Sequence, residues 1–563
     1  MLYTLEGSKN SNGKRVFRFK DTQGNFIELQ SADVKEMMAN GDVFTGVRLT
    51  ADDRLIIDVA KTSTASLAKN VFVSSSKNGC AVYSGDDLQA YTAGWTQGFH
   101  KRYAVEEILD RLHNYVAGKV CVVKGLRRTG KTTAIMQAIE ELATSGVPYL
   151  KIGYVLVVET NADIDALISL VQKSDWDYVF IDEITHLSGL LNKLKWFSDV
   201  LAVPKKIVLA GTDSYVWPLA VTDVLYGRTL PVDLTYMSLR EYAEVFPHRI
   251  KGFTSAETVN HFCRYGGVVD EREYVGMDNA FVSLQTALVE NIANTITRNN
   301  DHSSVKDKVG LLYTVTKEQL TEAVICAVLQ AAQTQNNEVF RTSGVKIPEL
   351  AARLLEKQDM YKAQGIKADV VNRLMTALIE LNVISKISNV ARAVNGITPD
   401  TTSVLTCHIS SLYNTLMGES ELILNEPVVG AALENLILSQ CVQFAAFTNT
   451  QYQRVFGTKD IMVGYSRYND AKATESQNRT PEIDIVVRHR ESNKLVAQTA
   501  VEIKSSSEPL TSHARNFFLP STEVALGKID KYVVVYMGET QQHRDVYYVN
   551  SYDFLMDIGK YVI

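Results

Sequence analysis

Between an apolar run, Lys119-Val-Cys-Val-Val-Lys124, and a helix-like segment, Thr132 to Leu142, lies Gly125-Leu-Arg-Arg-Thr-Gly130-Lys131-Thr132, which meets the spacing G-x-x-x-x-G-K-[ST]. A strand, a glycine loop and a helix in that order commit the surrounding chain to an α/β core, because the loop is shaped by the two elements it joins. The glycines permit a tight turn whose backbone N–H groups face an anion, and the helix presents its positive N-terminal end to the same place. Gly125 and Gly130 therefore shape a triphosphate cradle. Lys131 is placed to contact the β- and γ-phosphates of ATP, Thr132 to ligate Mg²⁺ through its hydroxyl, and Thr133 to add a phosphate contact.

Three further apolar runs, Tyr154-Val-Leu-Val-Val, Tyr178-Val-Phe-Ile-Asp182 and Lys206-Ile-Val-Leu-Ala210, alternate with helical segments and read as strands of a parallel sheet, buried on both faces. The second ends in Asp182-Glu183. Asp182 is expected to hold the magnesium through water, and Glu183 to orient and polarise the attacking water. The third leads into Gly211-Thr212-Asp213-Ser214, where Thr212 either senses the γ-phosphate or caps the next helix. Arg228, in Tyr226-Gly-Arg-Thr, is either an arginine finger in a homo-oligomeric assembly or a surface arginine.

At 563 residues the chain is long enough for three or four cores. We expect a small α/β accessory module and linker over 1–95, the ATPase core and a helical lid over 96–300, a helical, winged-helix-like domain over 301–400, and a mixed helix-and-strand domain over 401–563. Arg15 to Lys20 alternates like a half-buried strand, and Ser31 is placed to cap a helix ending near Gly41. Lys61 to Gly94 is rich in Ser, Thr, Lys, Asn and Gly and reads as a connection. Residues 235 to 300 look helical, with a break at Gly266-Gly267. In the helix expected over Lys367 to Leu381, Val370, Val371, Leu374, Leu378 and Leu381 share a face, with Lys367, Asn372, Arg373 and Thr376 largely away from it. That pattern suits a winged helix or a plain helical spacer.

The six cysteines are far apart and form no Cys-x-x-Cys pair, which points to buried thiols rather than a zinc site or a disulfide framework. No apolar run approaches the ~20 residues of a membrane span, so a membrane role is not expected. The N-terminus lacks the zones of a secretory signal, which implies a cytoplasmic location. A formal charge of -6 gives no whole-protein basic footprint, although a local patch for DNA or RNA is compatible with it.

Together, Gly125-Leu-Arg-Arg-Thr-Gly-Lys-Thr-Thr133, Tyr178-Val-Phe-Ile-Asp-Glu183, Leu209-Ala-Gly-Thr-Asp-Ser214 and Gly227-Arg-Thr followed by Met237-Ser-Leu-Arg-Glu-Tyr242 resemble prokaryotic AAA-type ATPases. In that group the C-terminal domain is related to restriction-endonuclease-like, PD-(D/E)xK nucleases, and the resemblance covers about residues 96 to 520. It implies ATP binding and a C-terminal α/β nuclease-like domain. Asp484 on one strand and Glu502-Ile-Lys504 on the next fit that implication. Alternation puts Glu502 and Lys504 on one face, where Asp484 can join them from its neighbour. The two carboxylates would hold Mg²⁺ while Lys504 positions water. Glu434 matches the acidic position that often precedes these strands in the nuclease fold. Two outcomes stay open: a Mg²⁺-dependent nuclease, or a domain that binds nucleic acid or a protein partner without cutting. Arg488-His-Arg490 reads as a solvated hairpin or as a set of phosphate contacts.

Overall fold

The computed structural model describes residues 2–11, 14–21, 26–30, 47–49, 55–58, 79–96, 100–125, 129–158, 162–187, 190–211, 227–234, 236–266, 315–335, 337–357, 366–380, 382–424, 430–455, 459–473 and 480–563. The chain divides into two compact units. The first comprises 1–123, 131–211 and 223–232, and the second 124–130, 212–222 and 233–563.

In the first unit, β1 (Leu2–Ser11), β2 (Lys14–Asp21), β3 (Phe26–Gln30), β4 (Val47–Leu49) and β5 (Leu55–Asp58) form an antiparallel sheet in the order β3-β2-β1-β5-β4. The Arg15 to Lys20 alternation falls within β2. The helix expected from Ser31 to Gly41 lies outside the described residues.

The second sheet is built on β6 (Cys80–Tyr83), β7 (Val120–Lys124), β8 (Ile152–Val157), β9 (Tyr178–Asp182), β10 (Lys206–Gly211) and β11 (Thr229–Asp233), in the order β11-β7-β10-β9-β8-β6. β8, β9 and β10 pair in parallel and β6 closes the edge antiparallel to β8. Val120, Val122, Val123, Val179, Phe180, Ile181, Val208 and Leu209 are fully buried, as strands covered on both faces require. The helices α1 (Gly85–Thr96), α2 (Tyr103–His113), α3 (Lys131–Thr144), α4 (Ile164–Lys173) and α5 (Leu190–Trp196) belong to the same unit. One expectation is corrected here. Cys80 to Gly94, read from its composition as part of a connection, lies in the edge strand β6 and the helix α1, with Leu88 and Tyr91 in the core. Burial of a few aromatic and aliphatic side chains outweighs the polar composition around them.

In the second unit, α6 (Leu239–Val245) and α7 (Ser255–Tyr265) carry Met237, Leu239, Tyr242, Phe246 and Phe262 into one hydrophobic core with Leu436, Ile437, Val501, Val533 and Phe554. The segment assigned from sequence to a lid of the ATPase thus packs against the C-terminal helices Ser410–Leu424, Ala431–Val455 and Ser551–Met556. α7 begins with a capping box between Thr254 and Glu257 and is closed by Gly266, the first residue of the expected Gly-Gly break; residues 267–300 lie outside the described residues. The helices α8 (Lys317–Gln335), α9 (Asn337–Ser343), α10 (Ile347–Lys357) and α11 (Ala368–Glu380) follow, then β12 (Ile384–Ile387). On α11, Val370, Val371, Leu374 and Leu378 are buried, whereas Asn372, Arg373 and Thr376, and Lys367 just before the helix, are exposed; Leu381 lies outside the described residues.

After β13 (Ile397–Pro399) comes β14 (Val404–Cys407), which pairs antiparallel with β12. Then α12 (Ser410–Leu424) and α13 (Ala431–Val455) lead to a meander of β15 (Lys459–Asp470), β16 (Glu482–Glu491) and β17 (Lys494–Ile503). The helix α14 (Pro520–Leu526) precedes β18 (Lys531–Tyr536), which runs parallel to β17. β19 (Gln541–His543) and β20 (Val546–Asn550) complete the order β13-β15-β16-β17-β18-β20-β19. α13 covers one face through Leu436, Ile437 and Cys441. Ala514, Phe517, Ala525 and Leu526 cover the other. All six cysteines are buried free thiols. Among the described residues, no helix is long and apolar enough to cross a membrane.

Candidate functional site

Gly125, directly after β7, has no room for a side chain: a Cβ there would lie 2.4 Å from the Leu234 carbonyl oxygen. Glycine is therefore required by close backbone approach. Gly130 adopts φ +84°, a left-handed conformation open to glycine at no steric cost. Leu126 to Arg128 lie outside the described residues. Gly130 leads into Lys131, which opens α3 and is buried, with Thr132 and Thr133 partly buried behind it.

β9 delivers Asp182 to the first turn of α3. The Asp182 carboxylate is fully buried, and its Oδ2 accepts the Thr132 hydroxyl at 2.7 Å and the Tyr154 hydroxyl at 3.2 Å. Its Oδ1 accepts the Glu183 backbone N–H at 2.9 Å. Burial raises the Asp182 pKa from its ordinary value and the nearby Glu183 charge adds to the rise, while the Thr132 bond and Lys131 oppose it. A hydroxyl and a carboxylate side by side are hard oxygen donors and fit Mg²⁺. Glu183 is in the left-handed region at φ +54°, which turns the chain off the strand into the 3-10 helix Ile184–His186. A non-glycine residue held there is costly, of order 1–3 kcal/mol, and such strain concentrates at functional positions.

Thr212 lies outside the described residues. Arg228 donates from Nε to Asp199 Oδ1 at 2.9 Å, with both side chains substantially exposed. Its observed partner is thus within its own unit.

In the second unit a separate cluster forms where the β16–β17 ladder ends. Gly464 pairs with Val486 but Ser466 with Ile483, so β16 carries an extra residue beside Asp484. Such a bulge re-aims a side chain. Asp484 Oδ2 accepts the Ile503 N–H at 2.6 Å, and Lys504 Nζ lies 2.6 Å from Glu502 Oε2 and 3.8 Å from Asp484 Oδ2. The structure therefore brings Asp484, Glu502 and Lys504 together. Glu434 on α13 is near enough that the Asp484 charge, after burial, raises its pKa well above the usual carboxylate value. Burial followed by the Asp484 charge pushes Glu502 to about 8, although Lys504 and a weak bond from Asn516 Nδ2 at 3.4 Å oppose it. Among the described residues, no group of three or more His, Cys, Asp or Glu is spaced to hold a metal ion.

Sequence reasoning missed three participants. Glu482, two residues before Asp484, forms an ion pair with Arg467 across the β15–β16 register. Asn516 ties Glu482 and Glu502 together, donating to the Glu482 carbonyl oxygen at 2.8 Å. Strand spacing could have found Glu482. Nothing in the sequence singles out Arg467 or Asn516. The solvated or phosphate-contacting reading of Arg488 is also corrected: it is buried, donating to Gln498 Oε1 at 2.7 Å and to the Val390 carbonyl oxygen at 3.1 Å.

Residues 117–243 match the family model described as AAA domain. That span contains Gly125 to Thr133, Asp182 and Glu183, so the chain carries an AAA-type P-loop domain. A search of curated proteins by sequence finds no match. Among solved structures, the Walker-type ATPase PABY2304 of Pyrococcus abyssi is 13% identical with a TM-score of 0.31, covering 56% of this chain and 96% of that one. The RuvB Holliday junction branch migration motor of Thermotoga maritima is 16% identical with a TM-score of 0.25, covering 59% and 96%. AMPPCP-bound DnaA from Aquifex aeolicus is 14% identical with a TM-score of 0.23, covering 49% and 86%. The family model, and not these partial overlaps, carries the assignment.

Proposed function

We propose that this chain is a Mg²⁺-dependent ATPase in which nucleotide state controls nucleic-acid binding by a nuclease-like C-terminal region. The observation that carries the ATPase half is the buried Asp182 carboxylate held by the Thr132 hydroxyl at the start of α3. In this reading Gly125, Gly130, Lys131 and Thr133 bind the phosphates, Thr132 and Asp182 hold the metal, and Glu183 orients the attacking water. Thr212 is assigned as the γ-phosphate sensor. Magnesium held there by Thr132 and Asp182 would supply positive charge against the phosphates.

The nucleic-acid half is supported by two features. Helix α11 presents Asn372, Arg373 and Thr376 outward, with Lys367 exposed just before it, beside the two-stranded β12–β14 sheet, an arrangement suited to a winged helix. In the C-terminal region, a helix carrying Glu434, a three-stranded meander carrying Asp484, Glu502 and Lys504, and a parallel β18 fit a nuclease-like fold. Binding of the purified full chain to duplex and single-stranded DNA and to RNA, at low and moderate salt, tests this half. The affinity is expected to change at least fivefold between ATP-bound and ADP-bound protein. No difference with any of the three would refute it.

A second reading is favoured by the Lys504 ammonium, which lies 2.6 Å from Glu502 and 3.8 Å from Asp484, while among the described residues no group of three or more His, Cys, Asp or Glu is spaced to hold a metal ion. On that reading the C-terminal region is catalytically silent, and the ATPase is a nucleotide-dependent switch for a protein partner. Slow turnover with tightly retained nucleotide distinguishes it. The arginine-finger assignment of Arg228 requires it to leave Asp199 for a neighbouring copy's nucleotide, and therefore a homo-oligomer.

A further inference from the structure

Asp182 is held by a group that lies outside the phosphate-loop pattern. Tyr154 is on β8, where the parallel register sets Tyr154 opposite Phe180 and Leu156 opposite Asp182. Its ring therefore leans along the sheet by two residues, ~6.6 Å, a distance that a phenol side chain spans. The hydroxyl donates to Asp182 Oδ2 at 3.2 Å, the oxygen that also accepts from Thr132. Thr132 is itself a metal ligand in the proposed site and must serve cation and carboxylate together, whereas Tyr154 can stay bonded to the carboxylate throughout.

The ring is fixed from behind. Tyr91 on α1 stacks on Tyr154 with centroids 5.6 Å apart, Tyr83 on β6 lies 5.9 Å away, and Tyr83 and Tyr91 stack on each other at 4.3 Å. Tyr154 is fully buried, and its hydroxyl is the donor to the Asp182 carboxylate. A carboxylate with two fixed hydroxyl donors on one oxygen and a backbone N–H on the other has little freedom to rotate.

We propose that Tyr154 is a positioning residue for the metal of the nucleotide site, fixing the orientation in which Asp182 meets nucleotide-bound Mg²⁺. The inference rests on the reading of Lys131, Thr132, Asp182 and Glu183 as an ATP·Mg²⁺ site. Groups that orient a metal ligand in this way typically contribute 10- to 100-fold to metal affinity.

Equilibrium binding of a fluorescent ATP analogue to the full chain, titrated with Mg²⁺ and repeated in EDTA, tests it without recourse to turnover. Tyr154→Phe keeps the ring and its stacking but removes the donor. Its half-saturating Mg²⁺ is expected to rise roughly tenfold, with affinity in EDTA unchanged. Tyr83→Phe, whose ring packs 5.9 Å from that of Tyr154, is expected to keep the wild-type Mg²⁺ requirement. A Tyr154→Phe requirement equal to wild type overturns the proposal, as does an equal rise in both variants, which would assign the effect to packing of the aromatic cluster. A Tyr154→Phe protein that does not fold assigns the hydroxyl to stability and overturns it too. If wild type binds no analogue at any Mg²⁺ concentration, it is the ATP reading of the site that fails. If wild type binds and Tyr154→Phe matches it, only the role of Tyr154 fails.

Discussion

Lys131→Ala is expected to weaken ATP binding by roughly a hundredfold or more, measured as the dissociation constant of a fluorescent ATP analogue in Mg²⁺. Hydrogen bonds to charged groups contribute about 1.5–3 kcal/mol each, and Lys131 is assigned two phosphates, so about 3 kcal/mol or more is at stake. The side chain is already buried at the start of α3, so little ordering entropy remains to be lost when the nucleotide arrives. Its removal also takes away a charge that favours the ionised form of Asp182. The loss should therefore exceed that of an exposed phosphate-contacting lysine. A variant binding within threefold of wild type would remove Lys131 from the site.

The second large effect is expected at the C-terminal cluster, where two substitutions should act with opposite sign on stability. Glu502 is raised to about 8 in the folded protein against an ordinary value of 4.5. A carboxyl whose folded pKa is raised contributes stability that is complete below about 4.5 and is lost as pH rises through about 8. Glu502→Gln carries no such titration. Its stability should therefore gain on wild type as pH goes from 5 to 8, the gain levelling off above that and amounting to a few kcal/mol at most. Lys504→Ala instead leaves Asp484 and Glu502 without the ammonium that lies 3.8 Å and 2.6 Å from them. Removing one partner from such a cluster costs about 3–5 kcal/mol. Thermal melts across pH 5–9 check both. A Glu502→Gln difference independent of pH, or a Lys504→Ala protein as stable as wild type, would contradict the described electrostatics. In the same preparations, Mg²⁺-dependent DNA cleavage by wild type that is lost in both variants would assign the cluster as a nuclease site. Cleavage unchanged in both would mark the activity as a contaminant.

Burial pushes up the carboxyls of Glu434, Asp484 and Glu502 alike, and perturbed groups of this kind cluster at functional sites and in structural ion-pair networks.

The parallel strands were legible because burial on both faces leaves a continuous apolar run, as in Val179 to Ile181 and Ile207 to Ala210, with no competing pattern. The Gly125 to Thr132 loop was legible for a related reason: its spacing encodes backbone geometry locally, and the Leu234 carbonyl oxygen explains why residue 125 has to be glycine. Cys80 to Gly94 was not legible. A four-residue strand at a sheet edge carries too few apolar positions to stand out against Ser, Lys, Asn and Gly, and its pairing with β8 is a long-range event. The meeting of Asp484 with Glu502 and Lys504 follows partly from alternation, but the bulge beside Asp484 depends on the β15 register, which no spacing within β16 reveals. Arg488 was misread because residue type favours solvent, while its partners Gln498 and the Val390 carbonyl oxygen come from elsewhere in the chain. Tyr154 was passed over as one more apolar position in a buried strand. Only the structure shows its hydroxyl on Asp182.

The central claim is that Lys131, Thr132, Asp182 and Glu183 form one hydrolytic site, and steady-state phosphate release from ATP and Mg²⁺ by wild type and Glu183→Gln tests it most directly. Wild type should turn over ATP. Glu183→Gln should bind the ATP analogue within about threefold of wild type, yet release phosphate at least about a hundredfold more slowly, as expected when a general base is removed. Equal hydrolysis by the two proteins, or no hydrolysis by wild type under any condition in which it binds ATP, would contradict the account.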